Sequence, residues 1–588
     1  MRIMKHTVLT ALLVCGFSAS FAAQIKLDPA LEGLSSQQTP SNVDVIVKFR
    51  TVPSNLHHRL VLSHGGQLKH SLDLIRSAHY SIPASELQSL AQEPDVEYVA
   101  PDRPVKGFAT SYIGSPDFGW HTVGADLATS VAGYTGAGIG IALLDSGVIN
   151  NPDLAGTPAN RIVYTTSLVP QTDSNDHFGH GSHVAGILAG NGKQSTGGPN
   201  IYQIRGIAPA ANIVSIKVLN DTGSGSDSTV IAGIQLAIQL KSKYNIRVMN
   251  LSLGRPISTS YMFDPLCQAV QQAWQAGIVV VVAAGNDGRN NSLGNNGYGT
   301  ITAPGNSPYV ITVGAMNTEG TASPADDKVA SYSSKGPTII DHIVKPDLVA
   351  PGNKIFSLNS GGSYFDKTYP TNGVATQDYQ SNTGTTGNQY FMLSGTSMAT
   401  PMVAGAAALL IQQNPNLTPD QVKARLMKTA TKFAPGFSSA TDPITGITYT
   451  DEYDIFTIGA GYLNIPAALQ NTDLLSGAAL SPTATFDEFK QTVTVGPTTV
   501  FGNSAIWGSN ASWGLSAIWG TNASWGLSAI WGSSVFINGT SAIWGSSAIW
   551  GSNASWGLSA VWGTSAVWGY SAGRDQAESD RVAIMGDK

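Results

Sequence analysis

The sequence predicts an α/β domain with a doubly wound, mostly parallel sheet, preceded by a small α+β unit and followed by a β-structured, tryptophan-repeat tail. Three observations predict it. Between residues 120 and 470, continuous apolar runs of strand length alternate with helical runs, as they do when strands are buried on both faces. Between residues 43 and 107, shorter strand and helix patterns follow one another in a stretch sized for one small sheet. From residue 501 to 570 a tryptophan recurs every six residues in two series. Six steps of 100° scatter side chains around a helix, whereas on a strand an even spacing puts them all on one face.

Length and charge set the outer bounds. A chain of 588 residues suggests about three or four domains. Its net charge is −6 and only 12% of its residues are charged, which argues against nucleic acid as a partner, because phosphate binding needs a basic surface. Residues 1–22 read as a secretory signal peptide: Arg2 and Lys5, then an apolar stretch, then small residues, with cleavage expected near Ala22. The apolar run from Thr7 to Phe17 is too short to span a bilayer. Leu13 and Val14 before Cys15 fit a lipid-attachment signal poorly. The expected location is therefore secreted or extracytoplasmic, with surface association open. The mature chain keeps only Cys267, so it has no internal disulfide and must draw stability from packing or bound ions.

The elements follow in order. After a polar linker (23–42), VDVIVKF alternates as a strand and LHHRLVLSHGG reads as a helix ending at Gly65–Gly66. AHYSIPA is a strand, SELQSLAQ a helix capped by Ser85, and VEYVAPD a last strand. This β-α-β-α-β order leaves room for one more strand. In the larger domain GIGIALLD precedes the helical HGSHVAGILAG, and ANIVSIKVL precedes STVIAGIQLAIQL. RVMNLSLG, the helix CQAVQQAWQAG, IVVVVAAGN and YVITVGA continue the alternation. A linker (471–500) leads to the repeats, where Trp507 to Trp531 form one six-residue series and Trp544 to Trp568 a second. No charged residue occurs from Gln491 to Gly573. Ten such aromatics are either the core of a β-stack or a ladder for polysaccharide, a cell surface or another copy. Residues 571–588 read as a disordered tail.

The chemistry gathers at strand ends, where α/β folds place their sites. Asp145 ends the strand IALLD, His180 opens the helix HGSHVAG, and Ser397 stands in SGTSMATPMVAGAAALL, where hydroxyls tip into a slim helix. Each has a plain explanation as a turn Asp, a helix-start His or a cap Ser. Together they supply a nucleophile, a base and a group to orient the base.

The order Asp, His, Ser and the local sequences IALLDSGV, HGSHVAG, AAGN and SGTSMATPMVAGAAALL closely resemble those of the subtilisin-like serine proteases, the subtilases. The resemblance runs from about Trp120 to Leu469, and the 43–107 unit is similar to the family's ferredoxin-like propeptide. It implies a secreted serine endopeptidase, made as a self-processed zymogen and working through an acyl-enzyme with Asp145, His180 and Ser397. It also implies that Asn286 donates its amide to the oxyanion. Gly223, Ser224, Gly225, Ser252, Leu253 and Gly254 match segments that pair with substrate backbone, and Ala284 and Gly285 of AAGN fall beside them. Main-chain pairing of that kind implies polypeptide substrates and broad specificity. Asp287 is either near the pocket mouth or a solvated loop residue.

By the same resemblance His183 is structural and not the base, and Met402 stands where the family often has histidine. Pro401 is expected within the first helical turn, where its missing N–H costs little. No cofactor is expected for catalysis. Structural calcium is expected without a ligand set: Asp153 matches a possible ligand, but GNGKQSTGGPNIYQIRGIAP does not match the usual calcium loop. The 43–107 unit becomes an intramolecular inhibitor, with residues 108–119 as the processing segment and the cut between Lys106 and Gly119. A surface-binding protein with the tail as its working part, and a scaffold of subtilase fold, are the alternatives.

Overall fold

The computed structural model describes residues 26–35, 42–107, 119–130, 132–156, 160–197, 202–292, 295–380, 388–432, 436–442, 445–487, 492–496 and 586–587. The leader, residues 108–118 of the processing segment and the tryptophan repeats lie outside the described residues.

The N-terminal unit is a four-stranded antiparallel sheet: β1 (Asn42–Phe49), β2 (Gln67–Leu72), β3 (Ser77–Pro83) and β4 (Val96–Pro101), in the order β2-β3-β1-β4. Helices Asn55–Ser63 and Leu87–Gln92 connect them. β2 fills the place left open by the sequence pattern. The second helix starts later than expected. Residues Ala84–Glu86 first make a 3₁₀ turn, so Glu86 and not Ser85 is the capping residue. The alternation of β1 separates two cores. Val45, Val47 and Phe49 join Val61, Leu87 and Leu90 inside the unit, whereas Ile46, with Leu72 and Ile75, enters the core of the larger domain. The unit rests on helices Asp227–Tyr244 and Pro265–Gln275, with Leu74 N donating to Gln235 Oε1 (3.2 Å) and Lys48 Nζ to Gln268 Oε1 (3.0 Å).

The chain then leaves through β5 (Pro104–Gly107). The sheet of the larger domain contains β6 (Gly140–Asp145), β7 (Ile162–Ser167), β8 (Asn212–Lys217), β10 (Ile246–Leu251), β12 (Val279–Ala283), β13 (Ile311–Asn317), β14 (Lys328–Val329) and β15 (Leu348–Pro351). Short strands β9 (Ser224–Ser226) and β11 (Leu253–Gly254) lie off this sheet. Its order is β14-β13-β12-β10-β6-β8-β7, with β15 also on β13, and every pair is parallel except β13–β14. β6, β12 and β13 are buried along their whole length, which is why they read as unbroken apolar runs.

Helices His180–Ala189 and Thr396–Gln413 pack on each other, and the second also lies across β10, β12 and β13. Gly405 makes the close approach possible, since a Cβ there would stand 2.5 Å from the Cβ of Ile207. Pro401 is the sixth residue of its helix, not part of the first turn. An α-helical N–H at 401 would bond the carbonyl of Ser397. Proline leaves that carbonyl free, and the hydroxyl of Ser252 donates to it at 2.9 Å. Gly586 and Asp587, read from sequence as part of a disordered tail, are docked on the larger domain, and Asp587 is fully buried.

Candidate active site

Asp145 comes to the site because β6 ends there, and it is buried. Its Oδ1 accepts from His180 Nδ1 at 2.7 Å and from the amide of Ser146 at 2.7 Å. A carboxylate at Nδ1 places a proton on that nitrogen and makes Nε2 the basic one. His180 opens its helix after Gly179, whose φ of 104° lies in the left-handed region. Gly181 allows the helix to press on the loop after β6, because a Cβ there would be 2.1 Å from the carbonyl oxygen of Gly147.

A second carboxylate, not singled out from sequence, holds this arrangement. Asp176 Oδ1 accepts from Ser146 Oγ (2.8 Å) and Gly179 N (2.7 Å), and Oδ2 accepts from Ser182 N (2.7 Å). Ser146 Oγ in turn accepts from Gly181 N at 2.9 Å. Donors that a helix start leaves without partners are thereby satisfied. Burial raises the pKa of Asp176, and these donors pull it back. The one sequence signal was its place four residues before His180.

Ser397 is the second residue of its helix. Its Oγ donates to the carbonyl of Ser252 at 3.0 Å, while Ser252 Oγ returns a bond to Ser397 O and accepts from Asn250 Nδ2 at 2.9 Å. Asn286 Oδ1 accepts from both the amide and the hydroxyl of Thr396, each at 2.9 Å. Two donors on one atom identify it as the oxygen and turn Nδ2 to the opposite edge. Thr396 Oγ1 also accepts from Gly285 N at 3.2 Å, so this threonine joins the Asn286 loop to the Ser397 helix. Its role was not read from sequence, where it is one hydroxyl among several.

The segments read as substrate-gripping are occupied by the chain itself. β5 lies between β9 and β11 in an antiparallel sheet, pairing Val105 with Gly225, Lys106 with Ser224 and Gly254, and Gly107 with Leu253. Gly223 turns with φ of 73° against the Phe178 ring. Ala284 and Gly285 use their backbones on the scaffold: Ala284 N donates to Val313 O and Ala284 O accepts from Thr302 N, while Gly285 O accepts from Ser334 N, each at 3.0 Å. Asp287 is half-buried, with its amide on Ser334 Oγ.

His183 faces away from this chemistry. Its Nε2 donates to the carbonyls of Ile355 and Phe391, each at 3.1 Å. Burial, helped by the nearby His180, pushes its pKa down to about 3. Met402 is buried in the core, and Cys267 is a buried thiol donating to Asn306 Oδ1, its pKa raised by burial. Asp153 spends both carboxylate oxygens on protein donors. Its Oδ1 accepts from Gln194 N (2.7 Å) and Oδ2 from Tyr390 O–H (2.6 Å), and the Arg161 guanidinium donates to its carbonyl. Among the described residues no group of three or more His, Cys, Asp or Glu is placed to hold a metal.

A buried Asp–His pair at the carboxyl end of a parallel sheet, with a serine at the head of the adjoining helix, belongs to hydrolases that work through serine. Comparison with known proteins narrows the class. The sequence profile of the subtilase family, peptidase S8, matches residues 136–448. Serine protease AprX of Bacillus subtilis is 45% identical over 304 residues, covering 50% of this chain and 62% of that protein. Subtilisin E of the same organism is 31% identical over 463 residues, covering 77% of this chain and 98% of subtilisin E. Among solved structures, fervidolysin from Fervidobacterium pennivorans, described as a keratinolytic enzyme related to subtilisin, shares the fold. Its TM-score is 0.54 at 23% identity, over 76% of this chain and 63% of that one. The chain belongs to the subtilase family, the serine endopeptidases of subtilisin type.

Proposed function

We propose that this chain is a secreted endopeptidase, made as a zymogen, that cleaves peptide bonds through an acyl-enzyme on Ser397. The observation that carries the reading is the 2.7 Å bond from His180 Nδ1 to Asp145, because it leaves Nε2 as a base beside the helix that bears Ser397. Rotation about its Cα–Cβ bond turns the Ser397 hydroxyl from Ser252 O toward His180. Its Oγ attacks the scissile carbonyl as Nε2 takes the proton, and Asp145 stabilises the imidazolium. The oxyanion meets Asn286 Nδ2 and the amide of Ser397, one of the four N–H groups that a helix head leaves without an internal acceptor. The imidazolium then protonates the leaving amine, the C–N bond breaks, and water repeats the sequence to free the acid and Ser397.

Substrate takes the place that β5 holds, adding a strand between β9 and β11. Backbone pairing there is indifferent to side chains, which supports broad specificity. The same occupancy supports residues 43–107 as the inhibitor, with release by a cut between Lys106 and Gly119. Export rests on the leader sequence. No helix of the described residues is long and apolar enough to cross a membrane. The tryptophan spacing supports contact of the repeat region with a cell surface or polysaccharide. Structural calcium stays in the proposal with no ligand set assigned. A fluorophosphonate probe tests the chemistry. It labels the processed protein once per chain at Ser397 and fails to label Ser397→Ala; equal labelling of both forms would overturn the assignment.

A further inference from the structure

Beyond Gly496 the described residues are Gly586 and Asp587, and the larger domain reads nearly every polar group of the aspartate. Asp587 Oδ1 accepts from Arg289 Nη2 (2.7 Å) and Ser331 Oγ (2.6 Å), and Oδ2 accepts from Ser331 N (2.7 Å). Its amide donates to Asn353 Oδ1 at 3.0 Å, and its carbonyl accepts from Asn353 Nδ2 at 3.4 Å. Arg289 Nη2 also reaches the carbonyl of Gly586 at 3.2 Å.

Arg289 is held independently of this guest. Its guanidinium lies 5.9 Å from the ring centre of Tyr332 and 5.7 Å from that of Tyr449, Nη1 pairs with Asp442, and Nε donates to Ser331 Oγ. The residue before the aspartate is also specified. Gly586 has φ of 56°, and a Cβ there would stand 2.4 Å from Asn353 Oδ1 and 2.7 Å from Ser394 Oγ. Three donors converge on two carboxylate oxygens, so an amide in place of the acid would set its NH₂ against a donor.

We propose that Arg289, Ser331 and Asn353 form a recognition site for a Gly–Asp peptide segment, filled in cis by Gly586–Asp587, that returns the far end of the tryptophan-repeat region to the catalytic domain. The near end is fixed as well. Val344 N donates to Pro482 O and Ala484 N to His342 O, each at 2.8 Å. The chain is therefore held on one domain at Pro482–Ala484 and again at Gly586–Asp587, the second time between two functional loops. Arg289 follows Asn286 by three residues, and Ser394 precedes Ser397 by three.

Hydrogen exchange read by mass spectrometry on the full-length Ser397→Ala chain, which cannot digest itself, tests this. The segment carrying the Ser331 amide is protected in that chain. With Asp587→Asn, or separately with Gly586→Ala, it exchanges about tenfold faster or more, while β6 is unchanged and so reports an intact fold. The acetylated and amidated peptide Ala-Ile-Met-Gly-Asp-Lys, added to the Asp587→Asn chain at millimolar concentration, restores protection, and its Gly-Asn counterpart does not. Unchanged exchange in both variants, or equal rescue by the two peptides, would overturn the proposal.

Discussion

Pro401 removes one hydrogen bond from the Ser397 helix, and Ser252 supplies another to the same carbonyl. Single residues of this kind decide the site, and they differ in how far sequence exposes them. Asp145 and His180 could be read because one ends a strand, the other starts a helix, and glycines follow both. Asp176, Ser146 and Thr396 could not, because the bonds that tie them to the triad's loops join residues about 30 to 110 positions apart and impose no periodicity. His183 carries a prediction at this scale. Its pKa falls from the ordinary 6.5 to about 3 because it is buried. The unfolded chain therefore binds a proton below pH 6.5 that the folded chain refuses. Stability from this group is full above pH 6.5 and is lost as pH falls toward about 3. In the Ser397→Ala background, His183→Gln keeps a donor for Ile355 O and Phe391 O but cannot titrate. Its unfolding free energy should fall less steeply over that window, by up to about one proton in slope. Identical slopes in denaturant titrations across the window would refute the assignment.

Among the elements, the β5–β9–β11 sheet connects fold to function. The main strands were legible because both of their faces are buried. β2 was not, because Gln67–Leu72 exposes every side chain except Leu72 and shows no apolar alternation. The start of the Leu87–Gln92 helix was misplaced because the chain first turns as a 3₁₀ segment after Pro83. In β11, Gly254 backs onto Thr302, and a Cβ would stand 2.6 Å from its hydroxyl. Gly254→Ala should push β11 out of line and weaken pairing with any strand beside it. Ground state and transition state use that pairing alike, so KM should rise about threefold to tenfold with kcat nearly unchanged. Steady-state kinetics on an extended peptide measure this, and a loss confined to kcat would contradict the pairing role.

The whole molecule places an inhibitor-like unit, a catalytic sheet and a tail segment on one another. Ile46, Leu72 and Ile75 of the N-terminal unit are buried in the catalytic core, and β5 carries the chain from that unit into the cleft. The small sheet ahead of the larger parallel-sheet domain was legible from pattern. The return of Asp587 was not, because nothing in the sequence sets it apart from Asp575 and Asp580 until Arg289 is seen beside it. The proposed function makes the chain its own first substrate. Purified chain refolded in isolation, analysed by intact mass and N-terminal sequencing beside Ser397→Ala, tests that directly. The account predicts a new N-terminus between Lys106 and Gly119 in the unaltered chain and an uncut Ser397→Ala. Processing of Ser397→Ala at the same bond would contradict it.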